Sequence, residues 1–189
     1  GSFGLAVLQG GAGGFALESL RLVSGDPADV ALVDLDGDGD LDAAILNRTG
    51  RSVAVFRNDA GALAAVPAYV GGLGSEPYHL VPSDLDGDGD VDLAVAVYGS
   101  SQWARLMNDG SGGLGAPVAT GASGNPIGIV TGDWNGDGIR DLATANYSGN
   151  NVSIWLGNRA SLLAEGPAGL LTGLARGRLA DTSDFDFFR

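Results

Sequence analysis

Three copies of one acidic loop recur at nearly equal spacing, and this repetition constrains the fold more than any other feature of the chain. The loops begin at Asp34, Asp84 and Asp133, which are 50 and 49 residues apart. Each loop has the form Asp-x-(Asp/Asn)-Gly-Asp-Gly-x-x-Asp. A fixed period of this length is typical of tandem supersecondary units, each of which carries its own loop.

Each loop places oxygen-bearing side chains at alternate positions, which is the arrangement that a hard cation such as Ca²⁺ needs. Glycines at positions 4 and 6 let the backbone fold around an ion. Position 7 is an isoleucine in the third loop, so we assign the ligand at this position to the backbone carbonyl in all three. The predicted metal-site residues at positions 1, 3, 5, 7 and 9 are Asp34, Asp36, Asp38, Asp40 and Asp42 in the first loop, Asp84, Asp86, Asp88, Asp90 and Asp92 in the second, and Asp133, Asn135, Asp137, Ile139 and Asp141 in the third.

An acidic turn in solvent is the alternative to a metal site, because Asp and Gly are ordinary turn residues. Two carboxylates about 4 Å apart, however, repel each other by roughly 4 kcal/mol at an effective dielectric constant near 20. Crowding carboxylates in this way three times over favours a bound cation. We therefore predict three Ca²⁺ ions, one in each loop.

An EF-hand is a different kind of calcium loop, and the sequence excludes it. It requires a bidentate Glu at position 12 and a helix on each side. Position 12 is Ile45, Val95 or Thr144, none of which can replace that Glu. The last ligand comes at position 9 instead, and β-type sequence follows it.

Short apolar runs flank every loop and predict an all-β fold. A proline lies seven residues before each loop, at Pro27, Pro77 and Pro126, and an apolar segment leads from it into the loop. A second apolar run follows position 9, so that each loop lies in the turn of a predicted β-hairpin. A third run and a more irregular fourth run complete each unit. Four short antiparallel strands in about 50 residues are typical of a β-propeller blade.

We therefore predict β-propeller repeats over residues 1–165, with three full blades and one half-blade. The half-blade is 1–24, which aligns with the third and fourth strands of a blade, and the full blades are 25–73, 74–123 and 124–165. Residues 166–189 hold no complete metal loop. They are either a degenerate hairpin that completes the half-blade or a linker to another domain.

The net charge of −13 originates in the loops, which hold 13 of the 23 acidic residues, while ten arginines match the other ten. The sequence has no basic stripe, which excludes nucleic acid as a partner. The absence of cysteine excludes disulfides and thiol catalysis. No apolar run approaches about 18 residues, so no membrane span is predicted. The absence of lysine is typical of a GC-rich, bacterial genome.

These residues resemble the FG-GAP/VCBS repeats of integrin-α-type β-propellers and of many secreted bacterial proteins. The resemblance covers roughly residues 3–160 and includes Gly113-Leu-Gly-Ala-Pro117, which has Leu in place of the signature Phe. It implies a propeller with structural Ca²⁺ in the first hairpin of each blade. The family usually closes with about seven blades. A chain with three and a half is a fragment, a small closed variant, or a protomer that closes by assembling with copies of itself.

The expected function is that of a non-enzymatic, calcium-binding extracellular module that acts as a scaffold, adhesion or protein-interaction domain. Sites of the extracellular type bind Ca²⁺ with a Kd of about 10⁻⁴–10⁻³ M, so that they would be empty in the cytosol. This argument places the chain outside the cell. The expected partners are proteins or glycans at the cell surface or in the matrix, and assembly into a homo-oligomer or filament is also open.

Two other functions remain as alternatives. A lectin-like propeller is suggested by residues 98–103 and 147–151, which place Tyr98, Trp103 and Tyr147 beside amide and hydroxyl groups. Packing of these rings at blade edges is the simpler interpretation. A calcium-dependent hydrolase is a lesser alternative, because phosphate chemistry needs converging cationic or imidazole groups. The chain has no lysine and a single histidine, His79, which we interpret as structural.

Overall fold

The structure is a computed structural model that describes residues 3–157 of the 189-residue chain. This part of the chain consists of antiparallel β-strands, and its one helical element is a 3₁₀ turn at Tyr98–Ser100. The predicted all-β fold is therefore confirmed. Within the same residues, no helix has the length and apolarity needed to cross a bilayer.

The strands are short and follow one another closely along the chain. They are β1 (Phe3–Gly11), β2 (Gly14–Val23), β3 (Pro27–Val33), β4 (Asp42–Asn47), β5 (Ser52–Phe56), β6 (Asn58–Asp59), β7 (Ala62–Leu63), β8 (Ala68–Gly71), β9 (Pro77–Ser83), β10 (Asp92–Val97), β11 (Gln102–Leu106), β12 (Val118–Gly121), β13 (Pro126–Gly132), β14 (Asp141–Asn146) and β15 (Asn151–Trp155).

The strands pair with their neighbours in the chain. We name β1–β2 the amino-terminal hairpin, β3-β4-β5-β8 sheet I, β9-β10-β11-β12 sheet II and β13-β14-β15 sheet III. The small hairpin β6–β7 lies in the connection between β5 and β8. Sheets I and II have the four antiparallel strands that the sequence predicts for one unit.

Every acidic loop joins the first strand of a sheet to the second, as predicted. The last aspartate of the loop opens the second strand and pairs with the last residue of the first. The three prolines begin the first strands, where a residue without an N–H group is tolerated. The pairs that close the loops are Val33 with Asp42, Ser83 with Asp92, and Gly132 with Asp141.

The second strand of each complete sheet is buried on both of its faces. In β4, Ile45 packs toward the amino-terminal hairpin, whereas Leu46 packs against sheet II. In β10, Val95 packs against sheet I and Ala96 against sheet III. This double burial explains why these strands are continuous apolar runs instead of alternating ones.

The sheets therefore pack face to face in chain order, and the acidic loops occupy equivalent places in successive sheets. Closure into a propeller and the predicted blade boundaries stay predictions. Residues 158–165 of the third predicted blade, and the predicted hairpin or linker at 166–189, lie outside the described residues.

Candidate metal centre

The first aspartate of each loop folds the loop around its own carboxylate. Oδ1 of Asp34 accepts a hydrogen bond from the N–H of Gly37 (2.8 Å), and Oδ2 accepts one from Gly39 (2.9 Å). The glycines at these two positions have φ between 74° and 100° in all three loops, a region that other residues rarely adopt. The equivalent bonds run from Gly87 and Gly89 to Asp84, and from Gly136 and Gly138 to Asp133.

Carboxylates at positions 1, 3 and 5 converge in the first two loops. Within each group the carboxylate oxygens lie within 4.8 Å of one another, and the side chains at positions 1 and 3 are partly buried. The two groups are Asp34, Asp36 and Asp38, and Asp84, Asp86 and Asp88.

The third loop has an amide at position 3 in place of a carboxylate. Nδ2 of Asn135 donates to Oδ2 of Asp137 at 3.0 Å. The Asn135 amide oxygen accepts from the N–H of Asp137 (2.9 Å), so this loop is ordered by the same kind of local bonds as the other two. An amide oxygen is also a calcium ligand, and the loop keeps a ligand-type atom at each predicted position.

Two observations show that these carboxylates fit a cation. Oδ1 of Asp36 is buried and has no hydrogen-bond partner. Burial raises the pKa of Asp86, and the charges of Asp88 and Asp84 add to that rise. A divalent ion would satisfy the unpartnered oxygen and remove the repulsion, and its preference for several oxygen ligands matches this donor set.

The last aspartate of each loop is buried and attaches the loop to its sheet. Asp42, Asp92 and Asp141 are 0%, 1% and 0% exposed. Oδ2 accepts from the N–H of position 2, and Oδ1 accepts from a residue just beyond the third strand. Each oxygen retains a lone pair for a metal. The donors are Leu35 and Asn58 for Asp42, Leu85 and Asn108 for Asp92, and Trp134 and Gly157 for Asp141, at 2.7–3.1 Å.

Burial raises the pKa of Asp92 to about 6, and the charges of Asp86 and Asp88 contribute to the rise, while its two N–H donors oppose it. Burial likewise raises the pKa of Asp42. The metal-free fold therefore disfavours the charged form of both carboxyls.

Position 7 has the same backbone arrangement in all three loops. The N–H of Asp40, Asp90 and Ile139 donates to Oδ1 of the position 5 residue at 2.8, 2.9 and 2.8 Å. Ile139 is buried. The carboxylate of Asp90 lies so close to Gly110 that a Cβ on that glycine would be 2.5 Å from it. The shared backbone agrees with a carbonyl ligand at position 7, which stays a prediction.

A buried amide that the sequence analysis missed connects two successive loops. Asn108 is 7% exposed, and its Nδ2 donates to the carbonyl of Leu35 in the first loop (2.7 Å) and to that of Val91 in the second (3.1 Å). Its Oδ1 accepts from the N–H groups of Gly110 and Gly112 in the following turn. Asn108 therefore joins sheet I to sheet II at the level of the acidic loops.

The repeats differ at this position. Asn58 is the equivalent residue of sheet I, and its Nδ2 reaches only the carbonyl of Leu41 (3.1 Å), while its Oδ1 is buried without a partner. The third repeat has Gly157, which has no side chain to contribute. The Asn-Asp pair recurs at residues 58 and 108, but only Asn108 joins two loops, so the pair by itself does not indicate this contact.

Arg57 brings a positive charge to the first loop. Its Nη1 contacts the carboxylate of Asp36, and its Nη2 contacts the carbonyl of Ser111 in the turn of sheet II. The equivalent residues are Met107 and Leu156, so the other two loops have no arginine at this place. One carboxylate oxygen of Asp36 thus contacts Arg57, and the other has no hydrogen-bond partner.

Two of the residues considered for other functions, Trp103 and His79, have structural surroundings. The indole of Trp103 packs edge-on against Trp155 at 5.8 Å, between sheets II and III, and not in an open sugar-binding loop. His79 accepts a hydrogen bond at Nδ1 from the N–H of Ile129 (3.2 Å), and its Nε2 lies 3.7 Å from Asp29. His79 therefore connects the first strands of successive sheets, which agrees with a structural role.

Residues 34–95 and 84–144 each match the sequence profile of the FG-GAP-like repeat. The two matches together cover more than half of the 189-residue chain. The chain therefore belongs to the FG-GAP-like repeat family, as its loops and prolines predicted. Repeats of this family are generally structural or interaction modules and not enzymes.

A comparison with curated proteins finds no match. Among solved structures, a chain of the Photorhabdus luminescens Tc holotoxin pore is similar, with 22% sequence identity over 76% of this chain and a TM-score of 0.44. The similar region spans 7% of the length of the toxin chain.

Proposed function

We propose that this chain is a calcium-stabilised propeller module that acts outside the cell as a scaffold for protein interactions and performs no catalysis. The observation that carries the proposal is the convergence of three carboxylates at the same place in two successive sheets, with one buried oxygen lacking a partner. The structural character of the family supports the absence of catalysis.

The ion in each loop would be held by the side chains at positions 1, 3, 5 and 9 and by the carbonyl at position 7. Calcium supplies charge neutralisation at these places. Because position 9 also attaches the loop to the third strand, metal binding would stabilise the whole sheet. At a calcium concentration ten times Kd, each site adds about 1.4 kcal/mol to the free energy of unfolding.

Isothermal titration with Ca²⁺ and thermal unfolding with and without EGTA test this proposal. We expect three ions per wild-type chain, and two in Asp86→Ala. Asp59→Ala is the matched control, because Asp59 is an exposed aspartate outside the loops. A melting temperature that EGTA leaves unchanged would sink the proposal, as would equal stoichiometry in the two variants.

A second candidate function is glycan binding, which one exposed cluster favours. The rings of Tyr78 and Tyr98 lie 6.1 Å apart, and the guanidinium of Arg48 lies 5.4 Å above the Tyr78 ring. Tyr78 is half-exposed and could stack on a sugar ring. A glycan array compares wild type with Tyr78→Ala, and with Phe15→Ala as the control, because Phe15 is an exposed aromatic residue outside the candidate sugar site. Binding that Tyr78→Ala leaves intact would eliminate this cluster as a sugar site.

A further inference from the structure

Sheets I and II each have one face that packs on the preceding element and one that packs on the following element. In sheet I, Val53 and Val55 of β5 belong to the following face, and sheet II covers them almost completely. In sheet II, Val81 and Trp103 belong to the same face, and they pack against sheet III. A covered following face is thus a property that sheets I and II share.

Sheet III exposes the corresponding face. Its residues at the equivalent register positions are Val130, Val152 and Ile154, and they are 53%, 64% and 60% exposed. Apolar residues occupy these positions even though nothing among residues 3–157 covers them. The face has the composition of a packed face, and not that of a solvated edge.

The amino-terminal hairpin exposes a second apolar face at the other end of the array. Val23 of β2 is buried against sheet I, and Arg21 donates to the carbonyls of Leu63 and Ala64. The alternate residues Leu20 and Leu22 point away and are 64% and 72% exposed. Side chains alternate between the faces of a strand, so this outward face is a property of the hairpin register.

We propose that the exposed face of sheet III is the docking surface for the amino-terminal hairpin of a second copy of this chain. The contact continues the face-to-face packing already seen between the hairpin and sheet I and between successive sheets. Two different surfaces meet, so the contact is head-to-tail, and it produces a ring when the rotation closes or a filament when it does not. This inference does not depend on the proposed role of calcium.

The size of the two faces predicts a weak contact. The three residues of sheet III and the two leucines of the hairpin each expose on the order of 300 Å² of apolar surface, which is the range in which apolar patches on soluble proteins mark interaction sites. Two such faces together are below the area of a standard stable interface. Association therefore depends on protein concentration in the micromolar range.

Sedimentation velocity on the full chain tests the proposal. The protein concentration is varied from about 5 to 200 µM, with and without Ca²⁺, because a weak interface forms only at such concentrations. Val152→Glu alters the sheet III face, and Leu22→Glu alters the hairpin face. Val66→Glu is the control, because Val66 is an exposed valine on neither face. Far-ultraviolet circular dichroism and melting curves confirm that each variant is folded.

We expect the average mass of wild type and Val66→Glu to rise with concentration, and each face variant to stay monomeric. An equimolar mixture of the two face variants restores one intact contact and gives dimers that grow no further. The proposal is overturned by a wild type that is monomeric at every concentration, which would mean that the chain's own residues 158–189 or another partner cover the face. It is also overturned by a monomeric Val66→Glu, by a face variant that still associates, or by a mixture that stays monomeric.

Discussion

Replacement of Asn108 by alanine removes the side chain that joins the first two acidic loops. The Asn108 amide makes four hydrogen bonds, to the carbonyls of Leu35 and Val91 and from the N–H groups of Gly110 and Gly112. Its backbone N–H, which binds Asp92, is unchanged by the substitution. The variant therefore tests the side chain alone.

The magnitude follows from these bonds and from the burial of their partners. A hydrogen bond contributes about 0.5–1.5 kcal/mol net, and a buried acceptor left without a donor adds a desolvation cost. We expect Asn108→Ala to lower the free energy of unfolding by about 2–4 kcal/mol. Asn58→Ala is the matched control, and because Asn58 makes one side-chain bond and has an unpartnered oxygen, it should cost about 0.5–1 kcal/mol.

Urea unfolding in saturating Ca²⁺, followed by the fluorescence of the three tryptophans, measures both variants. With an m value of about 2–3 kcal/mol/M, the midpoint of Asn108→Ala should fall by roughly 1 M, and that of Asn58→Ala by much less. Equal midpoints for the two variants would refute the reasoning. A larger loss in Asn58→Ala would show that the bond between the sheets carries no stability.

Three further predictions follow from the loops and from the contact between sheets II and III. In calcium-free buffer, the stability that protonated Asp92 contributes should be fully present below pH 4 and be lost, by about 3 kcal/mol, as the pH rises through 6, because burial raises the pKa of Asp92 above that of the unfolded chain. Comparison of wild type with Asp92→Asn in urea titrations across pH isolates this contribution, which the variant should lack. Arg57→Met introduces the residue that the second repeat has at this position. Because it removes a positive charge next to a predicted calcium ligand, it should tighten calcium binding at the first loop about tenfold in isothermal titration. Unchanged affinity would show that Arg57 does not compete with the ion. Trp103→Ala removes the contact with Trp155 and should lower the free energy of unfolding, measured in urea, by about 3 kcal/mol. A decrease of less than about 1 kcal/mol would argue against that contact.

The loops, the hairpins around them and the all-β fold were predictable, because each depends on residues that are close in the chain. Asp34 folds its loop through glycines three and five residues ahead, and the pattern of Asp and Gly determines that geometry. The prolines likewise mark the first residues of strands β3, β9 and β13. Because the loop recurs with a fixed period, the prediction for one loop applied to all three.

The contacts between sheets were not predictable in the same way. The bond from Asn108 to Leu35 joins residues 73 positions apart, and nothing local at either residue indicates it. Trp103 was an aromatic candidate for a sugar site, whereas its position between sheets II and III depends on which face of β11 is covered. Packing between repeats determines which face of the strand is covered, and a single sequence does not reveal that packing.

The two junctions between the sheets differ in the size of their apolar clusters. Sheets I and II share a large apolar cluster and the amide of Asn108, whereas sheets II and III share a smaller cluster with its tryptophan pair, and Gly157 stands where an amide would be. Apolar contacts weaken on cooling, and a polar link does not share that dependence. The bond between His79 and Ile129 is a polar link of the second junction, but the apolar cluster there is the smaller of the two. Cooling weakens both clusters, and we therefore expect sheet III to separate before sheets I and II do.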